Sequence, residues 1–378
     1  MTLRKFACYL LMLLVTHVAA SQACAQGKGG VLARRLPAKF QGLSNDQARE
    51  IGMLAELNIK WIGDIRETPG ADPVVDLFGP YGGQRATTED EMGNTIVVDE
   101  NERGLIVLSG LSRPQMGSLL RIAMDLKPYL RDYYLARAKL ISKIRRCRDR
   151  EEKETAADAR TFEKEVIELG KLMGEAEARV AVNQAWAYIG AEAAFAEEQK
   201  NYLRMLRENP DAFKLDSPAV KAARDLLQQL EEPYPILLQD TAAKLASFLG
   251  NTAETNAARR PHRSATLLGK ASPRMPDDVP RFLETLTPAQ QDRLLLLLNA
   301  ERPFTSDYVK KRVEFLVALD GLKKVTTLQD KKFIAAGAQM GELEARIALA
   351  QARAFEQLRL SLAPAQLFFV EQNLVSGQ

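Results

Sequence analysis

Two stretches of the chain lie over one another, and that self-similarity limits the fold more than any single motif does. LSRPQMGSLLRIAMDLKPYLRDYYLARAKL, from Leu111, matches LTPAQQDRLLLLLNAERPFTSDYVKKRVEF, from Leu286, at one offset of 175 residues. Gln115, Pro128, Tyr133 and Arg137 fall on Gln290, Pro303, Tyr308 and Arg312. Downstream the offset becomes 167, and MGEAEARVAVNQAWA from Met173 lies over MGELEARIALAQARA from Met340. A segment used twice must close its own apolar faces twice. The duplication therefore predicts two like modules, 111–209 and 286–378, joined by a helical linker and a polar, proline-punctuated connector over 210–285.

Each module reads as three helical stretches and a closing one, with Pro128 or Pro303 marking a break or bend, because proline lacks the donor that a helix interior needs. Phe162, Val166, Leu169, Met173, Ala176, Val180 and Ala187 recur at steps of four and three, a seam for packing against another helix. Phe333, Ala336, Met340, Leu343, Ile347, Ala350 and Ala354 repeat it. Asn183 stands where the second seam has Ala350, either as a buried register-fixing group or as a partly exposed residue, the second being favoured. Ahead of the modules, 26–41 reads as loose, 42–65 as a helix and 68–94 as an irregular loop. TIVVDENERGLIVLS, 95–109, reads as a small β-hairpin. The expected fold is mainly α, two tandem helical-hairpin modules with long amphipathic helices, plus that hairpin.

Arg4, Lys5, the apolar run FACYLLMLLV and the small residues Ala23-Cys24-Ala25 predict a cleaved signal peptide over 1–25 and a periplasmic product of about 353 residues (378 less 25) with no membrane-spanning segment. Cleavage would leave one cysteine, Cys147, and one histidine, His262. No disulfide within the chain and no His/Cys zinc site can be built from these, and a serine-protease triad would need His262, in the polar stretch AARRPHRSAT. LLGKAS, 267–272, lacks the first glycine and the final hydroxyl of a phosphate loop. Asp99 to Gly110 fails as a calcium loop at its fifth and twelfth positions. No catalytic residue, metal site or cofactor is assigned, and the chain is read as a protein other than an enzyme. Without Arg4 and Lys5 the 52 basic residues become 50, against 49 acids, which gives nucleic-acid binding no support.

One pentapeptide pattern recurs: Leu43, Ser44 and Gln47; Leu111, Ser112 and Gln115; Leu286, Thr287 and Gln290; and, without the hydroxyl, Leu362 and Gln366. Its spacing is that of a capping box, in which Ser or Thr accepts from the N3 backbone while the N3 Gln reaches back to the N-cap N–H. The leucine serves as staple, and Pro288 at N1 forfeits no hydrogen bond. A leader, this helix start, a long helical hairpin and a second copy closing the module together resemble the LTXXQ-motif periplasmic family of Spy and CpxP. In the first module the closing copy is reduced to Phe195-Ala196-Glu197-Glu198-Gln199. The resemblance implies an all-helical cradle that holds unfolded or envelope proteins without ATP, or an adaptor to an envelope-stress sensor. The alternative is an architectural protein with one fixed partner.

Two modules fused in one chain predict a monomer, with a homodimer as the alternative. Lys139, Lys143, Arg146 and Arg150 form a basic stripe at helical spacing and are the candidate client-binding residues. Leu140, Ile144 and Cys147 fall on the opposite, apolar face, which makes Cys147 a packed thiol. Glu175 with Glu177, and Glu342 with Glu344, sit two residues apart and so cannot face each other across a helix; they are read as rim charges or partners of nearby arginines.

Overall fold

The computed structural model describes residues 30–62, 86–89, 95–98, 100–148, 156–208, 214–231, 234–250, 277–322 and 330–375. The expected signal peptide, most of the 68–94 loop, the connector beyond residue 250 with His262, and Arg150 lie outside the described residues. Helices α1 (Asn45–Ile62), α2 (Glu100–Ser109), α3 (Arg113–Arg145), α4 (Ala156–Ala193) and α5 (Glu197–Glu208) come first. They are followed by α6 (Pro218–Gln228), α7 (Tyr234–Gly250), α8 (Asp278–Thr285), α9 (Pro288–Gly321), α10 (Asp330–Leu360) and α11 (Pro364–Val375). The fold is mainly α, and among the described residues no helix is long and apolar enough to cross a membrane.

The small β-hairpin expected over 95–109 is not supported. Glu100–Ser109 is helical, and Thr95–Val98 pairs antiparallel with Ala86–Glu89 instead, Ala86 opposite Val98. Leu105, Ile106, Val107 and Leu108 are all buried, so this run is apolar on every side and carries no alternation to separate strand from helix. Packing decides it. Gly104 lets α2 approach α7 so closely that a Cβ there would stand 2.4 Å from the Gln239 carbonyl oxygen.

Neither proline breaks its helix. α3 runs through Pro128 and α9 through Pro303, so the first two helical stretches of each module are one rod. Both prolines are exposed, where water can take up the carbonyl that loses its donor, and a helix tolerates the gap as a bend.

The chain forms two compact units, one from Met1–Arg66, Ala271–Ala300 and Ala354–Gln378, the other from Glu67–Lys270 and Glu301–Arg353. Residues 286–378 are therefore divided between them. In the first unit α8 packs against α1 and α11. Phe40, Ile51, Leu54, Phe282, Leu298 and Phe355 are buried there, and the Trp61 and Phe355 rings meet at 6.1 Å. Residues 30–41 are ordered rather than loose, with two 3-10 turns, Ala33–Arg35 and Ala38–Phe40. Burial of Ala33, Leu36 and Phe40 holds them, and Lys39 ties them to the start of α9 through the Pro288 carbonyl at 2.9 Å and Asp292.

The second unit contains the α3–α4 hairpin, with α7 against α3 and α2 against α7 and α6. It also holds the facing stretches of α9 and α10, where the Phe315 and Phe333 rings meet edge to face at 5.6 Å. Here α4 and α10, the equivalent helices of the two repeats, cross antiparallel at Gly170-Lys-Leu-Met-Gly174 and Gly337-Ala-Gln-Met-Gly341. A Cβ on Gly174 would stand 2.1 Å from the Gly337 oxygen, and one on Gly341 2.1 Å from the Gly170 oxygen. Glycine is needed because backbone touches backbone, a spacing that small residues alone permit. The expected seam is therefore only one stripe of these helices. Met173, Gly174, Ala178, Val180, Ala181 and Ala185 are buried on several sides, since α4 meets α3 on one face and α10 on another. Asn183 is half-buried, its Nδ2 bonded to the Arg179 carbonyl at 2.7 Å, the favoured of the two readings.

Candidate functional site: glutamine clasps and a cationic helix face

The recurring pentapeptides start helices, and four of their glutamines also do something that the local pattern does not contain. In the first repeat Gln115 Oε1 accepts from the Ser112 backbone N–H at 2.8 Å and from the Ser112 hydroxyl at 2.9 Å. Gln199 Oε1 accepts from the Ala196 N–H at 3.0 Å. The two amides then bond each other in both directions: Gln115 Nε2 donates to Gln199 Oε1 at 2.8 Å, and Gln199 Nε2 to Gln115 Oε1 at 2.6 Å. Each nitrogen also donates to a carbonyl five residues ahead of its partner, Ala194 at 3.2 Å and Gly110 at 3.0 Å.

The second repeat builds the same device. Gln290 and Gln366 accept from the Thr287 and Ala363 N–H groups at 2.7 and 2.8 Å. They donate to each other at 3.2 and 2.8 Å, and to the Ser361 and Thr285 carbonyls at 2.7 and 2.6 Å. Each clasp ties the start of one long helix to the start of the short helix that follows the hairpin, α3 to α5 and α9 to α11. Because each amide uses its oxygen and both its protons, the pair can be buried without an unmet polar group.

The reduced copy in the first repeat is thus equivalent in geometry. Phe195 is buried as Leu362 is, and Gln199 reproduces Gln366. Thr287 completes its box by accepting from the Gln290 N–H at 3.3 Å, and at α1 Ser44 and Gln47 close theirs at 3.0 and 3.3 Å. Leu111, Leu286 and Leu362 are buried, while Leu43 is half-buried. The signal for the clasp lay in the internal copies themselves. Ala196 and Ala363 dispense with the hydroxyl, but the glutamine is kept in both.

Burial separates the paired glutamates. Glu175 and Glu342 are rim charges, beside Arg179 at 3.9 Å and Arg346 at 2.9 Å. Glu177 and Glu344 are interior, 0% and 1% exposed. Arg137 and Gln184 in one repeat, and Arg312 and Gln351 in the other, are buried at equivalent positions, with Gln184 Nε2 on the Tyr188 hydroxyl at 2.6 Å and Gln351 Nε2 on Glu301 at 3.0 Å. The matching positions in the two repeats mark this polar layer as part of the shared scaffold. Arg137 is accordingly no part of an open basic surface.

The basic stripe is split. Lys139 and Arg146 are exposed. Lys143, with a side chain 20% exposed, pairs with Glu165 and lies over the Phe162 ring at 5.2 Å. That ammonium helps hold α3 to α4. Cys147 is buried, below Leu140 and Ile144 on the face that α3 turns inward. Elsewhere, Tyr202 of α5 donates to the Ile106 carbonyl at 2.8 Å and lies 2.9 Å from the Ser109 hydroxyl. Burial raises its phenol above the ordinary value, against the opposing effect of the Ser109 hydrogen bond. Among the described residues no group of three His, Cys, Asp or Glu side chains is placed to hold a metal ion. Comparison of the chain with protein-family models, curated proteins and solved structures found no match.

Proposed function

We propose that the chain is an exported, ATP-independent chaperone-like or envelope-stress adaptor protein that binds partly unfolded or envelope proteins, acting after removal of residues 1–25. The observation that carries this reading is the reciprocal bonding of the paired pentapeptide glutamines at the open end of each long hairpin. It gives the spacing on which the resemblance to the LTXXQ-motif family rests a physical purpose, that of closing a hairpin of that type. The antiparallel crossing of α4 with α10 supports a monomer, since one chain already brings two equivalent helices together.

Light scattering from a denatured, aggregating client, with and without the purified protein and without nucleotide, tests the reading. Suppression near equimolar ratio is expected. No suppression at molar excess, together with recovery of one stoichiometric partner by pull-down, would replace it with the architectural alternative. A cell-fractionation assay that leaves the protein in the cytoplasm at full length would remove the exported location.

A further inference from the structure

We propose that the outer face of α3 is a docking surface for an anionic phospholipid bilayer. α3 carries eight basic residues and two acids, whereas its repeat equivalent α9 carries five of each. The cations are not spread evenly. Arg121, Arg131 and Lys139 of α3, and Arg146 at its C-cap, are all exposed and, at 3.6 residues per turn, fall within a sector of roughly 80° along a line ~37 Å long. Leu135, 53% exposed, stands in the middle of that sector, and Tyr134 flanks it.

The sister repeat shows that the hairpin does not require these cations. At the same places α9 has Leu296, Ser306, Glu314 and Gly321, yet it makes the same clasp and keeps the same buried arginine. The four charges are thus additions to the scaffold. Among the described residues Arg131 pairs with its neighbour Asp132, at 3.7 Å, and its side chain is 76% exposed.

A bilayer fits this face better than a protein segment does. The charges run in a row along one face of a single helix, and a planar array of anionic headgroups can meet such a row along its length. A leucine and a tyrosine among the cations suit the boundary between headgroup and acyl chain, where amphipathic rings and short apolar side chains settle. The inference does not depend on holdase activity.

The full chain is sedimented with vesicles of mixed phosphatidylglycerol and phosphatidylcholine and with vesicles of phosphatidylcholine alone. Binding to the first alone is expected, released as NaCl rises from about 0.1 M to about 0.5 M. The quadruple variant Arg121→Glu, Arg131→Glu, Lys139→Glu, Arg146→Glu should bind at least about tenfold more weakly with an unaltered thermal melt. Leu135→Trp provides a second readout that needs no charge change: its emission, taken as a difference from the wild type, should shift to the blue with the anionic vesicles only. Equal binding to both vesicle types, undiminished binding by a folded quadruple variant, or a Leu135→Trp emission that vesicles leave unmoved would each overturn the proposal. So would binding of polyglutamate through these four residues with no sedimentation on vesicles, which would assign the face to an acidic polypeptide. If the quadruple variant fails to fold, the salt release of the wild type and the Leu135→Trp shift decide between these outcomes.

Discussion

The α3–α4 and α9–α10 hairpins have one architecture and two surfaces. They share the glutamine clasp, the glycine spacing, and a buried arginine, glutamate and glutamine at matching positions. They differ outside, where α3 is cationic and α9 neutral, and in parts of the interior, among them Glu301, which stands where the first repeat has Leu126 and takes the Gln351 amide. The lesson is a sorting rule internal to the chain. What both copies retain is what the hairpin needs to close and cross, and what only one copy carries is available for work.

The largest expected effect falls where both copies meet. Gly174→Val drives a side chain into the Gly337 carbonyl and should cost about 3 kcal/mol in a denaturant melt, because two backbones must separate. Gly117 lies in a helix with nothing within 4 Å of the place a methyl would occupy, so Gly117→Ala should instead stabilise by about 0.5–1 kcal/mol. If both substitutions cost the same, the glycines of the crossing have no special role. Next come the clasps, which test whether the two copies are equivalent in strength as well as in shape. Gln290→Ala abandons the buried Gln366 and should cost about 2–3 kcal/mol, while Gln115→Ala, half-buried, should cost about 1–2 kcal/mol because water can substitute. A double-mutant cycle on Gln115 and Gln199 should return a coupling of about 1 kcal/mol. Coupling near zero would reduce the clasp to two separate caps.

Smaller effects sharpen the contrast at the ends of the helices. Thr287→Ala removes one acceptor from a box whose glutamine remains and should cost about 1 kcal/mol by chemical denaturation. The first repeat carries Tyr202 on its closing helix, where the second has Phe369. Its phenol is raised when folded, so its contribution is complete below the ordinary value of 10.0 and is lost as pH rises through the higher folded value. Stability should therefore fall above about pH 10. Tyr202→Phe should flatten that part of the pH–stability curve, and an unchanged slope would exclude Tyr202 as its source.

The duplication made the long helices and their starts legible, because a capping box and a 3.6-residue period are local signals. The register of the repeats places Gln199 over Gln366, but its bond to Gln115, 84 residues away in sequence, is a tertiary contact that no local pattern contains. The same gap separates Glu175 from Glu177: spacing put them on different faces, but which of the two faces the interior is decided by a neighbouring helix. Lys143 looked like surface for that reason, until Glu165 and Phe162 came to it from α4. Residues 100–109 misled because β-branched composition is a weak preference that an apolar environment on all sides overrides.

Both hairpins are shut by carboxamides, groups that neither gain nor lose a proton across the range in which proteins live. Ionic strength that would screen the pairs Glu165 and Glu163 make with Lys143 and Arg353 leaves these latches as they are. A protein built this way keeps its two mouths closed by contacts that salt does not screen, while its ionic contacts loosen.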